Sequence, residues 1–149
     1  MLFMILAAAV FVVPEAEIFA CTPVQVWDAD GPIWCAEGPR IRLLGIAARE
    51  MDGTCRHGHP CPDMPPIAAR DVLIKLLQPA ASGATSTGHL RLVEASPIAC
   101  RSHGGAGGNR TAARCSLPDK SDLGCRLIAL GAAREWTRFS KGAYRRCAR

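Results

Sequence analysis

The chain is poor in aromatic residues, with three tryptophans, four phenylalanines and one tyrosine among 149 residues. A single domain of this length holds one modest core, and so few large rings keep that core small. The apolar stretch Leu2–Val13 stops at twelve residues, short of the roughly twenty that a membrane-spanning helix takes. No Lys or Arg precedes it, and Glu15 and Glu17 follow it closely. Its length suits the apolar core of a secretory signal. Ile18 and Ala20 stand three and one residues before Cys21, so residues 1–20 are expected to be a signal peptide and 21–149 the mature domain. A buried N-terminal strand or an uncleaved anchor is the alternative for the same stretch. Ile18-Phe19-Ala20-Cys21 also has a weak likeness to a lipoprotein processing site.

What the chain does have is cysteine. Eight of them, an even number, at positions 21, 35, 55, 61, 100, 115, 125 and 147, suit a small exported domain closed by disulfides, hence a secreted or periplasmic protein with no membrane span after cleavage. Eight cysteines allow 105 connectivities. Two pairings stand out: Cys55 with Cys61 across a tight loop, and Cys100 with Cys115 at the base of a Gly-rich hairpin. Loss of residues 1–20 removes two acids and no base, taking the formal charge from +5 to +7. A positive surface is drawn to polyanions, nucleic acid first.

Thr22–Trp27 alternates apolar and polar residues with the period of a half-buried strand, and Asp28-Ala29-Asp30-Gly31 interrupts it with turn formers. Pro32–Ala36 and Arg40–Ile46 read as two further strands, joined through Gly38-Pro39. In the second of these Ile41 and Leu43 face one way, Arg42 and Leu44 the other. Met51–Pro66 is an irregular loop. Ile67–Gln78 is a helix with Ala69, Val72, Leu73, Leu76 and Leu77 as its apolar stripe, ended by Pro79. Ala80–Gly88 reads as a linker, His89–Ala95 and Ile98–Arg101 as strands, Ser102–Gly108 as a glycine-rich loop and Asn109–Leu117 as a last strand. Asp122–Trp136 reads as a second helix, and the basic tail from Phe139 holds room for a short third. The expected class is α+β, mainly β: a five-stranded OB-fold barrel with two to three helices.

Several of these segments together resemble the thermonuclease, or staphylococcal-nuclease-like, family. They are Asp28–Gly31, the run Ile41-Arg42-Leu43-Leu44-Gly45-Ile46 followed by Glu50, Asn109-Arg110-Thr111 heading a strand, and Asp122-Leu123-Gly124 with Gly131 and the aromatic-basic tail. The likeness covers nearly all of the mature chain in the same order. It implies a calcium-dependent phosphodiesterase that cleaves DNA and RNA as a monomer. Under that resemblance Asp30, with Asp28 beside it, holds the metal. Arg42 and Arg110 grip the phosphate and Glu50 acts as general base. A calcium ion takes oxygen ligands and polarises the phosphoryl oxygen, and a carboxylate can take a proton from the attacking water. Guanidinium forks hold phosphate oxygens.

The sequence departs from the family pattern at one ligand. Ala47-Ala48-Arg49-Glu50 stands where the family has an aspartate in first place, so a methyl group replaces the second metal-ligating carboxylate. Ala29 and Gly31 depart from the turn pattern as well. Arg49 brings a positive charge that can replace part of a metal's field. Two functions follow: a metal-assisted nuclease with a weakened calcium site, or a non-catalytic OB module that binds nucleic acid or another anion. The Cys55-Arg-His57-Gly-His59-Pro-Cys61 loop has the residue types of a zinc site, but four ligands crowded into seven residues of an exported chain favour a disulfide with two exposed histidines.

Overall fold

Alternation along the first half of the mature chain builds a meander of three antiparallel strands. In the computed structural model, which describes residues 8–147, these are β2 (Pro23–Asp28), β3 (Gly31–Cys35) and β4 (Arg40–Leu43), preceded by β1 (Ile18–Cys21). Val26, Ile33, Ile41 and Leu43 turn inward and are fully or almost fully buried, while Arg42 stays half-buried on the other side. A register shift between Pro23 and Gln25 leaves Val24 only half-buried. The strand expected over Arg40–Ile46 is broken: it stops at Leu43, turns through Leu44-Gly45 with Gly45 at φ 79°, and resumes as the two-residue β5 (Ile46–Ala47).

The first helix, α1 (Pro66–Leu77), lies within one residue of its expected bounds, with Gln78 in the left-handed conformation closing it before Pro79. Ala69, Leu73 and Leu77 are its buried stripe, flanked by the partly buried Val72 and Leu76. Arg70 is buried beside them, its guanidinium donating to the carbonyls of Trp27 (3.3 Å) and Gly88 (3.1 Å) and so tying the helix to the sheet. The expected linker Ala80–Gly88 contains a strand, β6 (Ala81–Ala84), on the outer edge of β7 (Leu90–Val93). Its small, exposed residues carry no alternation. Backbone pairing alone makes it a strand.

After β7 come β8 (Ile98–Gly105) and β9 (Arg110–Ser116). The glycine-rich loop expected from Ser102 begins later, because β8 continues through a bulge to Gly105 and Ser102 is buried, its hydroxyl donating to the Val13 carbonyl. The expected helix Asp122–Trp136 is also shorter. It forms α2 (Leu123–Ala129), capped by the Asp122 carboxylate accepting from the Cys125 N–H at 2.9 Å. Gly131 at φ 80° ends it, and the chain forms β10 (Arg134–Glu135), which pairs with β5, before the one-turn α3 (Thr137–Ser140).

The main sheet runs β1-β8-β9-β4-β3-β2-β7-β6, with β4 and β9 parallel and the remaining pairs antiparallel. The fold is therefore mainly β, with three helices among the described residues. It is not a closed five-stranded barrel: the sheet has eight strands and two free ends. Of the strands at the two edges, β6 is held by backbone hydrogen bonds alone, whereas β1 also packs Phe19 and the fully buried Cys21 against the core.

All eight cysteines are paired. Cys55–Cys61 and Cys100–Cys115 form as expected, and Cys21–Cys35 and Cys125–Cys147 complete the set. Four disulfides fit an oxidising compartment. The proposed cleavage before Cys21 falls within β1, three of whose residues, Ile18, Phe19 and Ala20, pair with Arg101, Cys100 and Ala99 of β8. The part of the apolar stretch before Ala8 lies outside the described residues, and among those described no helix is long and apolar enough to cross a membrane.

Candidate functional site

The turn between β2 and β3 carries both aspartates. Gly31 sits at φ 114°, and a Cβ there would lie 2.4 Å from the Ile41 carbonyl oxygen, so glycine is required by the close approach of β4. Asp28 and Asp30 are buried, 4% and 7% exposed. The Asp30 N–H donates to Asp28 Oδ1 at 3.2 Å, while Asp30 Oδ2 accepts from the Ala48 N–H at 3.0 Å and pairs with Arg42 Nη2 at 3.1 Å. Burial first, then the hydrogen bond and charge of Asp30, pushes the Asp28 carboxyl far above the ordinary carboxylate range; Glu50 adds to this and Arg42 opposes it. A proton, or a cation in its place, resolves the repulsion.

Arg42 is gripped from several sides. Nη1 donates to the Leu43 carbonyl at 2.7 Å and to that of Asp30 at 3.5 Å, and Nη2 to the Ile46 carbonyl at 3.0 Å as well as to Asp30 Oδ2. Four of the five donors of a guanidinium are thus engaged, leaving Nε. The same bonds hold the Leu44-Gly45 turn. Glu50 is partly exposed and pairs with Arg56 Nε at 3.3 Å. Arg110, at the head of β9, folds back to the Ala106 carbonyl at 2.7 Å and, weakly, to that of Gly107 at 3.4 Å.

Asp28, Asp30, Arg42, Glu50 and Arg110 all line one cavity of about 670 Å³. Its wall also contains residues that the sequence left out of the site: Arg56 and His59 from the Cys55–Cys61 loop, His103 from β8, and Trp136 and Phe139 around α3. His59 lies against Trp136, ring centroids 4.1 Å apart, and Trp136 meets Phe139 edge-on at 4.7 Å. Only His57 of the two loop histidines is exposed; His59 is half-buried by that contact. The crowding of Arg and His into a cystine-closed loop was the available signal, but nothing in its spacing tells which wall it will join.

Arg49 does not line the cavity. Its guanidinium donates to the carbonyls of Pro62 (2.7 Å) and Gly53 (2.8 Å), fastening the long loop. Ala47 is fully buried in β5, opposite Arg134. Among the described residues no three acidic, histidine or cysteine side chains converge as a metal cage. Asp28 and Asp30 offer only oxygen atoms, the ligand type a hard divalent cation takes, and Asp30 Oδ2 is already shared between Arg42 and the Ala48 N–H. Comparison of the chain with protein-family models, with curated proteins and with solved structures gives no match.

Proposed function

We propose that the cavity binds and hydrolyses phosphodiester bonds of DNA or RNA, and that the chain is an exported, monomeric nuclease of the thermonuclease type. The observation that carries this reading is the meeting in one cavity of five side chains drawn from four separate places: the β2–β3 turn, β4, the loop after β5, and the head of β9. The strand connectivity supports it as well. If β7 and β8 are taken as one strand bent over Glu94–Pro97, then β2, β3, β4, the bent strand and β9 have the pairing of a five-stranded OB type, with β1 and β6 as additions. The four disulfides agree with a secreted or periplasmic address.

In this reading Asp28 and Asp30 hold a calcium ion, which when bound supplies charge stabilisation at the phosphoryl oxygen. Glu50 takes the proton of the attacking water, after release from Arg56. Arg110 faces the phosphate, and Arg56, which lines the same cavity, is available once Glu50 is released. Arg42 contributes its remaining Nε and its field while keeping the turn and Asp30 in place. A second reading, binding of nucleic acid without cleavage, is favoured by the buried methyl of Ala47 and by the engagement of Arg42 with protein carbonyls.

A zymogram on DNA and on RNA, with calcium and with chelator, separates the two. Hydrolysis is expected with calcium, lowered about 100-fold or more by Glu50→Gln. Salt-sensitive binding with no cleavage at any calcium concentration establishes the binding reading instead.

A further inference from the structure

Outside the cavity, strand register aligns a row of side chains across five strands. Arg91 of β7 stands opposite Gln25 of β2, Gln25 opposite Trp34 of β3, Trp34 opposite Arg40 of β4, and Arg40 opposite Arg110 of β9. Directly opposed residues project from the same side of a sheet. This is the outer side: the next residues along, Val26, Ile33, Ile41 and Thr111, are all fully buried, whereas Arg91 is exposed and the others of the row half-buried. Four inter-strand steps make the row roughly 19 Å long. One end, Arg110, lines the cavity.

The middle of the row is a stack. The Arg40 guanidinium lies 3.8 Å from the centre of the Trp34 ring, His89 packs 4.8 Å from Trp34, and Trp27 lies 4.9 Å from His89. Trp27 also lines the cavity, so the stack reaches the same opening. Burial, then the charges of Arg40 and Arg70, lowers the His89 ring from its ordinary value. Among the described residues neither Arg40 nor Arg91 has a carboxylate within 4.0 Å. Two arginines without acidic partners, spaced around indole and imidazole faces, present what a flexible polyanion with unpaired bases takes: cations for phosphates and rings for bases.

We propose that the row Arg91–Gln25–Trp34–Arg40 is a track for single-stranded nucleic acid, leading along the sheet into the cavity at Arg110. This rests on the reading of the cavity as a phosphodiester site.

The test is binding of a labelled twelve-residue oligothymidylate to the full chain in chelator, read by fluorescence anisotropy over a range of salt. Hydrolysis of bis-p-nitrophenyl phosphate, a diester small enough to use the cavity alone, is followed in parallel with calcium. Arg40→Ala and Arg91→Ala should each weaken binding about 3- to 10-fold and flatten the log–log salt slope by about 0.7. Trp34→Ala should weaken single-strand binding about 5-fold or more with little effect on duplex, and all three should leave hydrolysis of the small diester unchanged. Arg91→Glu, a charge reversal at an exposed position, repeats the test without disturbing packing. Wild-type affinity in Arg91→Glu overturns the track, as does duplex bound as tightly as single strand. Displacement of the oligonucleotide by polyglutamate of equal charge at equal concentration also overturns it. If no diester is cleaved at any calcium concentration while the binding changes hold, the cavity reading fails and the track stands.

Discussion

Asp28 and Asp30 lie two residues apart in one buried turn, and only Asp30 has a guanidinium in contact. Burial, then the hydrogen bond and charge of Asp30, makes Asp28 bind a proton more tightly in the folded chain than in the unfolded one. A group raised on folding stabilises fully below its unfolded value, near pH 4, and loses that contribution as pH rises toward its folded value. In chelator, the wild-type Tm should fall by several degrees between pH 5 and pH 8 relative to Asp28→Asn. The amide can still accept the Asp30 N–H but has no proton to lose. Calcium should offset the fall at pH 8 by binding the folded state. Parallel pH profiles of the two proteins, read by calorimetry, would remove Asp28 as the source. Arg42 shows the converse at the same scale. The family resemblance implies a phosphate-gripping role for it, yet the turn it staples engages most of its donors.

The packing of α2 against the C-terminal tail depends on a missing side chain. A Cβ on Gly124 would stand 2.7 Å from the Tyr144 hydroxyl and 2.9 Å from Cζ of that ring. Tyr144 is 3% exposed, burial pushes its hydroxyl up to about 12, and the Cys125–Cys147 bridge limits how far the tail can yield. Gly124→Ala should cost about 1–3 kcal/mol by overpacking, seen as a lower Tm with the disulfides intact. An unchanged Tm would mean that the tail moves aside freely. The same side-by-side packing explains why Asp122-Leu123-Gly124 reads as a unit: the carboxylate caps, the leucine is buried, and the glycine admits the tyrosine. The loop carrying His59 is fixed in a similar way, by Cys55–Cys61 and by Arg49 on the Gly53 and Pro62 carbonyls.

For the molecule as a whole, a core with few aromatics and four cross-links has its stability concentrated in the cystines. The bridges close 6 to 22 residues of sequence separation, and each is worth about 2–4 kcal/mol against the unfolded chain. Reduction should therefore lower the Tm by roughly 10 °C or more, checked by melts with and without reductant alongside thiol titration. Coincident curves with all eight thiols free would show that the apolar core suffices. Cys21–Cys35 ties the end of β1 to β3, so a chain beginning at Cys21 keeps that link while giving up the pairing of Ile18–Ala20 with β8.

Local rules were enough for much of this. Alternation placed Val26, Ile41 and Leu43 inside and Arg42 outside, because side chains on a strand repeat every two residues whatever it pairs with. Helical spacing and Pro79 bounded α1, and short loops with a turn between them identified the Cys55–Cys61 and Cys100–Cys115 pairs. Tertiary structure decided the rest. β6 consists of small, exposed residues whose strand character comes only from pairing with the backbone of the next strand, β7, and β5 and β10 are two-residue pieces paired from distant parts of the chain. The expected second helix gave way at Gly131 to a strand that Ile46 and Ala47 had open edges to receive. The second wall of the cavity, with His59, His103, Trp136 and Phe139, joins segments far apart in sequence. Residue types and order therefore named one side of the site, while the partners across it, and the donors left free on Arg42, were set by which chain segments fold against one another.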